Sequence, residues 1–237
     1  MLDGVEASLV YIASSPGTTL KSSKIYEGGQ GIVISFSEDC IITNNSLPHS
    51  LEGIVAGRFD MSSDNLTLCR NTVKALRFGD DLDEKAAIQL STKGSHITDN
   101  LVTDSQNGIL VSGANNTISG NILINNDVGV KLEENYNNVT GNNFIYNGRN
   151  GAQEKRPFAP AGASLENNSW DGNFWAAYFG QPSSSSDLPD ENGDGIGDVP
   201  YRIELSPGGP IDHRPLMKPV AVAGITPAPF SEIKGGL

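Results

Sequence analysis

A 21-residue repeat in the middle of the chain constrains the fold more than any other feature. Between residues 95 and 151 the same pattern occurs twice and begins a third time. When the copies are aligned, Ile97, Ile118 and Val139 share one column. A fixed period of this length is typical of repeat proteins, whose units bury their apolar surfaces only against neighbouring units.

The spacing of apolar residues within each copy indicates the type of repeat. Apolar and polar residues alternate in short bursts, as at Ile109 and Val111 and again at Val130 and Leu132. This alternation predicts short strands, and the Asn, Gly and Ser residues between the bursts predict turns. Three short strands and three turns close one triangular coil. The sequence therefore predicts an all-β fold, a right-handed single-stranded parallel β-helix of about seven coils with a period of 21–22 residues.

Apolar columns extend the repeat toward both ends of the chain. The column that contains Ile109 consists of Val10, Ile32, Ile54, Ile88, Ile109, Val130 and Ala152. The column of Ile97 ends at Leu165, and a third apolar column ends at Trp170. The columns that end at Leu165 and Trp170 advance in identical steps along the sequence, and each apolar column is predicted to form an inward ladder of the stack.

A polar column lies between the second and third apolar columns, at a predicted corner of the coil. Equivalent residues of stacked coils are about 4.8 Å apart, so asparagine amides in one column can hydrogen-bond to their copies above and below. The sequence therefore predicts a structural ladder formed by Asn45, Asn71, Asn100, Asn121, Asn142 and Asn168.

The repeat also predicts the domain organisation. Steps longer than 22 residues predict loops that leave the stack near residues 58–65, 75–87 and 149–163. An aromatic-rich run, WDGNFWAAYFG, begins at Trp170 and is predicted to cover the last coil as a lid. The predicted divisions are a β-helix over 1–170, a C-terminal capping module over 171–219, and a linker or disordered tail over 220–237.

The capping module contains an acidic loop with the ligand spacing of a calcium site. Oxygen-bearing side chains occupy positions 1, 3, 5 and 9 of the loop, and position 6 is a glycine that permits a tight turn. The predicted calcium ligands are Asp190, Asn192, Asp194, the carbonyl of Ile196, and Asp198. Position 12 is Tyr201, which cannot supply the bidentate carboxylate of an EF-hand. The alternative interpretation is a solvated acidic turn.

The charge and hydropathy of the chain exclude two classes of function. A formal net charge of −12 and an isoelectric point near 4.6 leave no basic stripe for a phosphate backbone, so no nucleic-acid partner is predicted. No run of 18 apolar residues occurs, so no membrane-spanning helix is predicted. The first 15 residues contain neither the basic nor the apolar segment of a signal peptide.

The remaining residues of chemical interest are the cysteines and the asparagines of the glycosylation sequons. Cys40 falls on an inward position and Cys69 on an outward one, which predicts two ordinary thiols and no disulfide. Asn-x-Ser/Thr sequons, which can carry glycans in an exported chain, begin at Asn44, Asn65, Asn115, Asn138 and Asn167. An Asn-rich repeat followed by Ser or Thr also generates such matches by itself.

Two parts of the sequence resemble one known family. The repeats, such as NGILVSGANNTISGN, are similar to the parallel β-helix repeats of carbohydrate-binding proteins and sugar hydrolases. The C-terminal motifs NSWDGNFWAAYFG, DENGDGIGDVPYRI and DHRPLMKP resemble more specifically the ending of the NosD-type family of periplasmic and archaeal cell-surface proteins. The resemblance covers about residues 30–218. It implies a periplasmic, cell-surface or otherwise extracellular protein, often one module of a longer surface chain.

These sequence features are compatible with two functions. One is a non-catalytic surface or periplasmic module that binds a polysaccharide or a neighbouring surface glycoprotein, from which the sequence does not separate a purely structural repeat without a ligand. The other is a polysaccharide hydrolase or lyase, which requires paired carboxylates, or a calcium cage with a base, on adjacent coils. The nearest candidates are Asp80, Asp81 and Asp83, with His96 one strand later, and no second acidic column faces them. We therefore favour a protein without enzymatic activity.

The resemblance implies a third function, that of a copper-processing accessory protein. The bacterial namesake of the family is associated with copper delivery to nitrous oxide reductase. Copper sites require clustered soft ligands, whereas His49, His96 and His213 are scattered and the chain has only 3 methionines. The sequence gives this role little support.

Overall fold

All regular structure in the described part of the chain is β-structure. The computed structural model describes residues 1–26, 28–58, 61–75, 85–148, 151–154, 167–178, 190–203 and 209–222. These ranges contain 24 strands, numbered here along the chain, and no helix. Accordingly, the described residues include no helix with the length and hydropathy needed to cross a membrane.

The strands stack on three sides of a coil, as predicted. Side 1 is a parallel sheet whose described strands are β1 (Leu2–Asp3), β4 (Thr19–Lys21), β7 (Ile41–Thr43), β9 (Thr67–Cys69), β12 (His96–Thr98), β15 (Thr117–Ser119), β18 (Asn138–Thr140) and β21 (Ser169–Asp171). Each strand pairs with the equivalent strand of the coils before and after it. The fold is therefore a parallel β-helix.

Sides 2 and 3 belong to one 14-stranded sheet within the described residues. Side 2 consists of β2 (Glu6–Ala7), β5 (Lys24–Ile25), the start of β8 (Ser46–Ala56), β10 (Thr72–Ala75), β13 (Leu101–Thr103), β16 (Ile122–Ile124), β19 (Asn143–Ile145) and β22 (Phe174–Trp175). Side 3 consists of β3 (Val10–Ala13), β6 (Gly28–Ser35), the end of β8, β11 (Ala86–Leu90), β14 (Asn107–Val111), β17 (Val128–Leu132) and β20 (Ala152–Glu154). The two sides are joined because β8 is long enough to pair on both.

The predicted inward columns are confirmed from the first coil to the coil of Val139. Ile97 pairs with Ile118 and Ile118 with Val139 on side 1, and all three side chains are fully buried. On side 3 the column of Ile109 pairs in the predicted register from Val10 to Ala152. Residues 1–9, which precede the first predicted anchor at Val10, contribute the first two strands of the stack.

The described corners between sides 3 and 1 and between sides 1 and 2 each contain a residue with a positive φ. The corner between sides 3 and 1 uses Asn115 at φ 59° and Tyr136 at φ 63°, and the corner between sides 1 and 2 uses Gly120 at φ 65°. Asn and Gly tolerate this left-handed conformation better than other residues do. The Asn- and Gly-rich composition of the corners follows from this requirement.

Asparagine ladders follow these turn residues at the corners. Between sides 1 and 2, the side-chain oxygen of Asn121 accepts hydrogen bonds from N and Nδ2 of Asn100, at 3.0 and 2.9 Å. The same pair of bonds links Asn45 to Asn71, Asn71 to Asn100, and Asn121 to Asn142. The predicted ladder is thus confirmed over five of its members.

Asn168 was wrongly assigned to this ladder. The acceptor for Asn142 N and Nδ2 is Asn173, at 3.0 Å in both bonds. Asn168 ends a different ladder, between sides 3 and 1, in which its side-chain oxygen accepts a bond from Asn137 N at 2.8 Å. The inward residues of the last coil also differ from the prediction, since Val139 pairs with Trp170 and Phe144 with Trp175.

The sequence interpretation missed two further ladders. One joins Ser95, Asn116 and Asn137 between sides 3 and 1, and the other joins Ser105, Asn126 and Asn147 between sides 2 and 3. Their members recur at steps of 21 residues, the period already used for the first ladder. The same column search would have found them.

Glycine precedes five of the seven side 3 anchors, and at Gly129 the structure leaves no room for a side chain. A Cβ atom on Gly129 would lie 2.5 Å from the carbonyl oxygen of Gly151 and 2.8 Å from the ring of Phe144. Inward side chains of side 2 therefore pack directly against the glycine backbone at the corner with side 3.

Candidate functional site

The C-terminal module closes the first asparagine ladder with a buried carboxylate. Asp212 Oδ2 accepts hydrogen bonds from Asn173 N and Nδ2 at 3.0 and 3.1 Å and from Trp175 Nε1 at 2.9 Å. Its Oδ1 accepts bonds from Gly172 N and Arg214 N, each at 3.1 Å. Asp212 is fully buried, and every one of these partners is a hydrogen-bond donor. It thus occupies the position that the asparagine of a further coil would take.

Aromatic rings cover the end of the stack above this carboxylate. Trp175 stacks on Phe144 with ring centroids 4.1 Å apart, and Tyr201 stacks on the other side of Trp175 at 4.6 Å. Tyr178 contacts the edge of Tyr201 and donates a hydrogen bond to Val199 O at 2.7 Å. Burial raises the pKa of Tyr178, and it raises the pKa of Tyr201 to about 12.

The acidic loop is closed by hydrogen bonds from its own backbone. Asp190 accepts bonds from Gly193 N at 2.7 Å and Gly195 N at 2.9 Å. Asp194 Oδ1 accepts a bond from Ile196 N at 2.8 Å, and Asp198 Oδ2 accepts one from Glu191 N at 2.6 Å. The side-chain oxygen of Asn192 accepts a bond from Asp194 N at 2.9 Å. All the predicted calcium ligands therefore lie in one compact turn.

The chemistry of these side chains is compatible with a hard cation, and calcium stays a prediction. An ionised carboxylate offers about four acceptor positions, so the one to three amide bonds that each of these carboxylates accepts leave acceptor capacity for a metal. In the described ranges no group of three or more His, Cys, Asp or Glu residues is arranged to hold a metal ion. A calcium site at this turn would therefore depend on Asn192, on the carbonyl of Ile196 and on water.

The acidic loop is tied to the last coil through a short segment, Pro215–Met217. Gly197 N donates to Pro215 O at 2.7 Å, and Met217 N donates to Gly195 O at 3.0 Å. The same segment reaches the stack, because Leu216 N donates to Asn173 O at 2.9 Å. A short path of backbone hydrogen bonds thus connects the acidic loop to Asn173, the residue that Asp212 holds.

A second apolar cluster lies outside the coil, on side 2. Its members are Ile122, Ile145, Phe174 and Val222, with Leu101, Ile124, Ala176 and Leu216 packed against them. Asn143 fixes the covering segment, since its side chain donates to Val220 O and accepts from Val220 N, both at 2.8 Å. The first residues of the predicted tail, 220–222, are therefore packed on the stack. The remainder of that tail lies outside the described residues.

Outward ionisable side chains of the stack pair with one another. On side 3 Lys131 is buried and lies 3.1 Å from Glu133, which also accepts a bond from Ser112 Oγ at 2.6 Å. Sequence reasoning missed this cluster, because Lys131 and Glu133 alternate with inward residues and carry no motif. The catalytic candidates Asp80, Asp81 and Asp83 lie outside the described residues.

The residues that could bind copper do not form a site in the described part of the chain. His49, His96 and His213 are exposed and lie on separate elements. Cys40 and Cys69 are free thiols, the first inward and buried, the second outward, as predicted. Burial raises the pKa of the Cys40 thiol, which disfavours the thiolate that metals bind. The soft ligands present therefore do not fit a copper centre.

The comparisons with known proteins identify a family. A family model described as periplasmic copper-binding protein (NosD) matches residues 2–180. No curated protein matches the chain, and neither does any solved structure. The matched segment comprises most of the 237 residues, and the parallel β-helix agrees with the repeats that resemble this family. The chain belongs to the NosD family of periplasmic β-helix proteins.

Proposed function

We propose that the protein is a non-catalytic module of the cell envelope that binds a polysaccharide or a surface glycoprotein. The observation that carries this proposal is the continuous hydrogen bonding of the stack. Asparagine and serine ladders run along the corners, and Asp212 closes one of them. Such bonding makes the β-helix a rigid element along which partner-binding groups keep fixed spacings.

The electrostatics of the described stack support binding rather than glycosidic chemistry. Four of its carboxylates pair with a lysine or arginine of the stack, in Asp3–Lys21, Glu52–Arg58, Asp104–Lys74 and Glu133–Lys131. Hydrolysis of a glycosidic bond instead requires two carboxyl groups facing one sugar. A carboxylate held against a lysine or arginine is not available as one member of such a pair.

Location outside the cytoplasm follows from the family, whose description is periplasmic. The finer assignment, to the cell surface, is part of the proposal. The surface of the stack is polar and the chain is acidic, so a neutral or cationic envelope polymer is the partner that its charge favours.

Copper processing is the second candidate function, because the description of the family names copper. The dispersed histidines and the inward position of Cys40 weigh against it. Titration with Cu(I) and Cu(II) decides between the two, since binding of one equivalent below micromolar concentration would favour the copper role.

A polysaccharide panel tests the main proposal. The purified protein is mixed with insoluble neutral, acidic and cationic envelope polymers, and bound protein is measured alongside the release of reducing ends and unsaturated products. We expect saturable retention on at least one polymer without turnover. Turnover that is lost in Asp80→Ala or Asp81→Ala would show a hydrolase or lyase, and absence of retention on every polymer and on isolated envelope glycoprotein would overturn the binding role.

A further inference from the structure

Two classes of asparagine in the stack differ in burial and hydrogen bonding. Ladder members such as Asn116 and Asn137 are buried, and their side chains are hydrogen-bonded. A second class is exposed and has no side-chain hydrogen bond among the described residues; it consists of Asn44, Asn65, Asn115, Asn138 and Asn167. These five are the asparagines of the five Asn-x-Ser/Thr sequons.

The five exposed asparagines lie on one flank of the molecule. Asn138 projects from side 1 itself, on β18. Asn65, Asn115 and Asn167 occupy the corner between sides 3 and 1, with φ values of 56°, 59° and 64°. Asn44 occupies the corner between sides 1 and 2, at φ 55°. The residues two positions on, Ser46, Thr67, Thr117, Thr140 and Ser169, are all at least partly exposed.

Backbone geometry explains the corner asparagines only in part. A corner requires a left-handed residue, for which Asn and Gly both serve, and the equivalent of Asn115 one coil earlier is Gly94. Asn138 has no such explanation, because it lies within a strand, where asparagine is disfavoured. The equivalent residue one coil earlier is Thr117, a good strand former. An exposed, unbonded asparagine at this position therefore points to a role for the amide.

We propose that the protein is N-glycosylated on side 1 and its two bordering corners, at Asn44, Asn65, Asn115, Asn138 and Asn167. In this reaction Nδ2 of asparagine forms a bond to the anomeric carbon of a lipid-linked oligosaccharide. The bond from that carbon to the lipid phosphate breaks, the lipid phosphate leaves with the bonding electrons, and Nδ2 gives up one proton to the membrane-bound transferase. An exposed amide without an internal partner and a nearby hydroxyl are what the transfer needs.

This inference rests on the proposed export, because the transferase acts on chains that leave the cytoplasm. It also deepens the proposed function. Glycans on side 1 would cover that flank and leave sides 2 and 3 for the polysaccharide or glycoprotein partner. The ladders are unaffected, since no sequon asparagine takes part in them.

Mass spectrometry of the native protein tests the proposal. Protein from the envelope fraction of cells that make it is compared with the same chain from a host without N-glycosylation, whose mass is 25.1 kDa. We expect a larger native mass, with glycans on peptides of the five sequons and none on the ladder residues Asn116 and Asn137. Unmodified protein in the envelope fraction would overturn the inference and leave export standing, whereas protein confined to the cytoplasm would overturn both.

A matched pair of variants tests the strand site. Thr140 and Thr98 occupy the same outward column two coils apart, but only Thr140 completes a sequon, because His96 stands where Asn138 does. Valine preserves the shape and the strand preference of threonine. Thr140→Val should lower the native mass by one glycan and Thr98→Val should leave the glycan mass unchanged. An equal glycan mass in the two variants would overturn the assignment of Asn138.

Discussion

Asp212 accepts from Asn173 the same two hydrogen bonds that Asn173 accepts from Asn142. In both pairs one side-chain oxygen accepts from the backbone N and from Nδ2 of the preceding ladder member, at 3.0–3.1 Å. A carboxylate suits this last position better than an amide, because it has only acceptors and all its partners are donors. The stack therefore ends on a residue that belongs to no coil.

Removal of this carboxylate should destabilise the end of the stack. Asp212→Ala leaves buried donors on Asn173 and Trp175 unsatisfied, at about 1 kcal/mol or more for each, so we expect unfolding by urea to show a loss of at least about 3 kcal/mol. The control is Asp171→Ala, which removes an exposed ion pair with Arg214 at 3.6 Å and should cost less than about 1 kcal/mol. Equal losses would show that Asp212 does not close the ladder.

The middle of the ladder should be equally sensitive. Asn121→Ala removes the acceptor for Asn100 N and Nδ2 and the donor to Ile97 O, so we expect a loss of about 3 kcal/mol in thermal or urea unfolding. Asn138→Ala, made in a host without N-glycosylation, is the comparison, since Asn138 is exposed and should change stability by no more than about 0.5 kcal/mol. A mild effect at Asn121 would mean that water replaces its bonds.

Gly129, at the corner between sides 2 and 3, should not tolerate a side chain. Gly129→Ala places a Cβ 2.5 Å from the Gly151 oxygen, and the required displacement should cost about 1–3 kcal/mol. Gly29→Ala is the matched substitution, because a Cβ there has no neighbour within 4 Å, and it should be neutral or slightly stabilising. The two melting temperatures, measured together, check the difference. Similar values would contradict the close approach of the backbones.

Stability should decrease at high pH because of Tyr201. Its pKa rises from 10.0 to about 12 on folding, so the folded state holds a proton that the unfolded state releases above pH 10. The stabilisation is complete below pH 10 and is lost as the pH rises through about 12. In urea unfolding between pH 9 and 12, Tyr201→Phe should reduce the slope with pH. Tyr11→Phe, at an exposed position on the first coil, is the control, and equal slopes in the two variants would refute the prediction.

Calcium should stabilise the capping module if the acidic loop binds it. A ligand that binds only the folded state stabilises it by about 2.7 kcal/mol at a hundredfold excess over Kd. We expect the melting temperature of the parent to rise with added calcium and to fall with chelator, and that of Asp194→Ala to respond to neither. Equal melting temperatures in all four conditions would leave the loop as a solvated acidic turn.

The register of the last coil was mispredicted for a specific reason. In the last three coils the first corner residue is an asparagine (Asn116, Asn137 or Asn168), an inward residue follows it by two positions, and a second asparagine follows it by five. Asn168 and Asn173 are such a pair, each followed two residues later by a tryptophan, Trp170 or Trp175. Both alignments satisfy the pattern, and only pairing with Val139 and Phe144 distinguishes them.

The sequence alone determined the period, the three inward columns and most of one ladder. It could do so because a stacked repeat places each residue against its own equivalent 21 or 22 positions away, so periodicity in the sequence is contact in space. Tertiary structure alone decided the features without a period. Among them are the carboxylate of Asp212 on Asn173, 39 residues apart, and the clamp of Asn143 on Val220, 77 residues apart. Such contacts follow from how the chain returns over a finished stack, for which no repeated pattern exists.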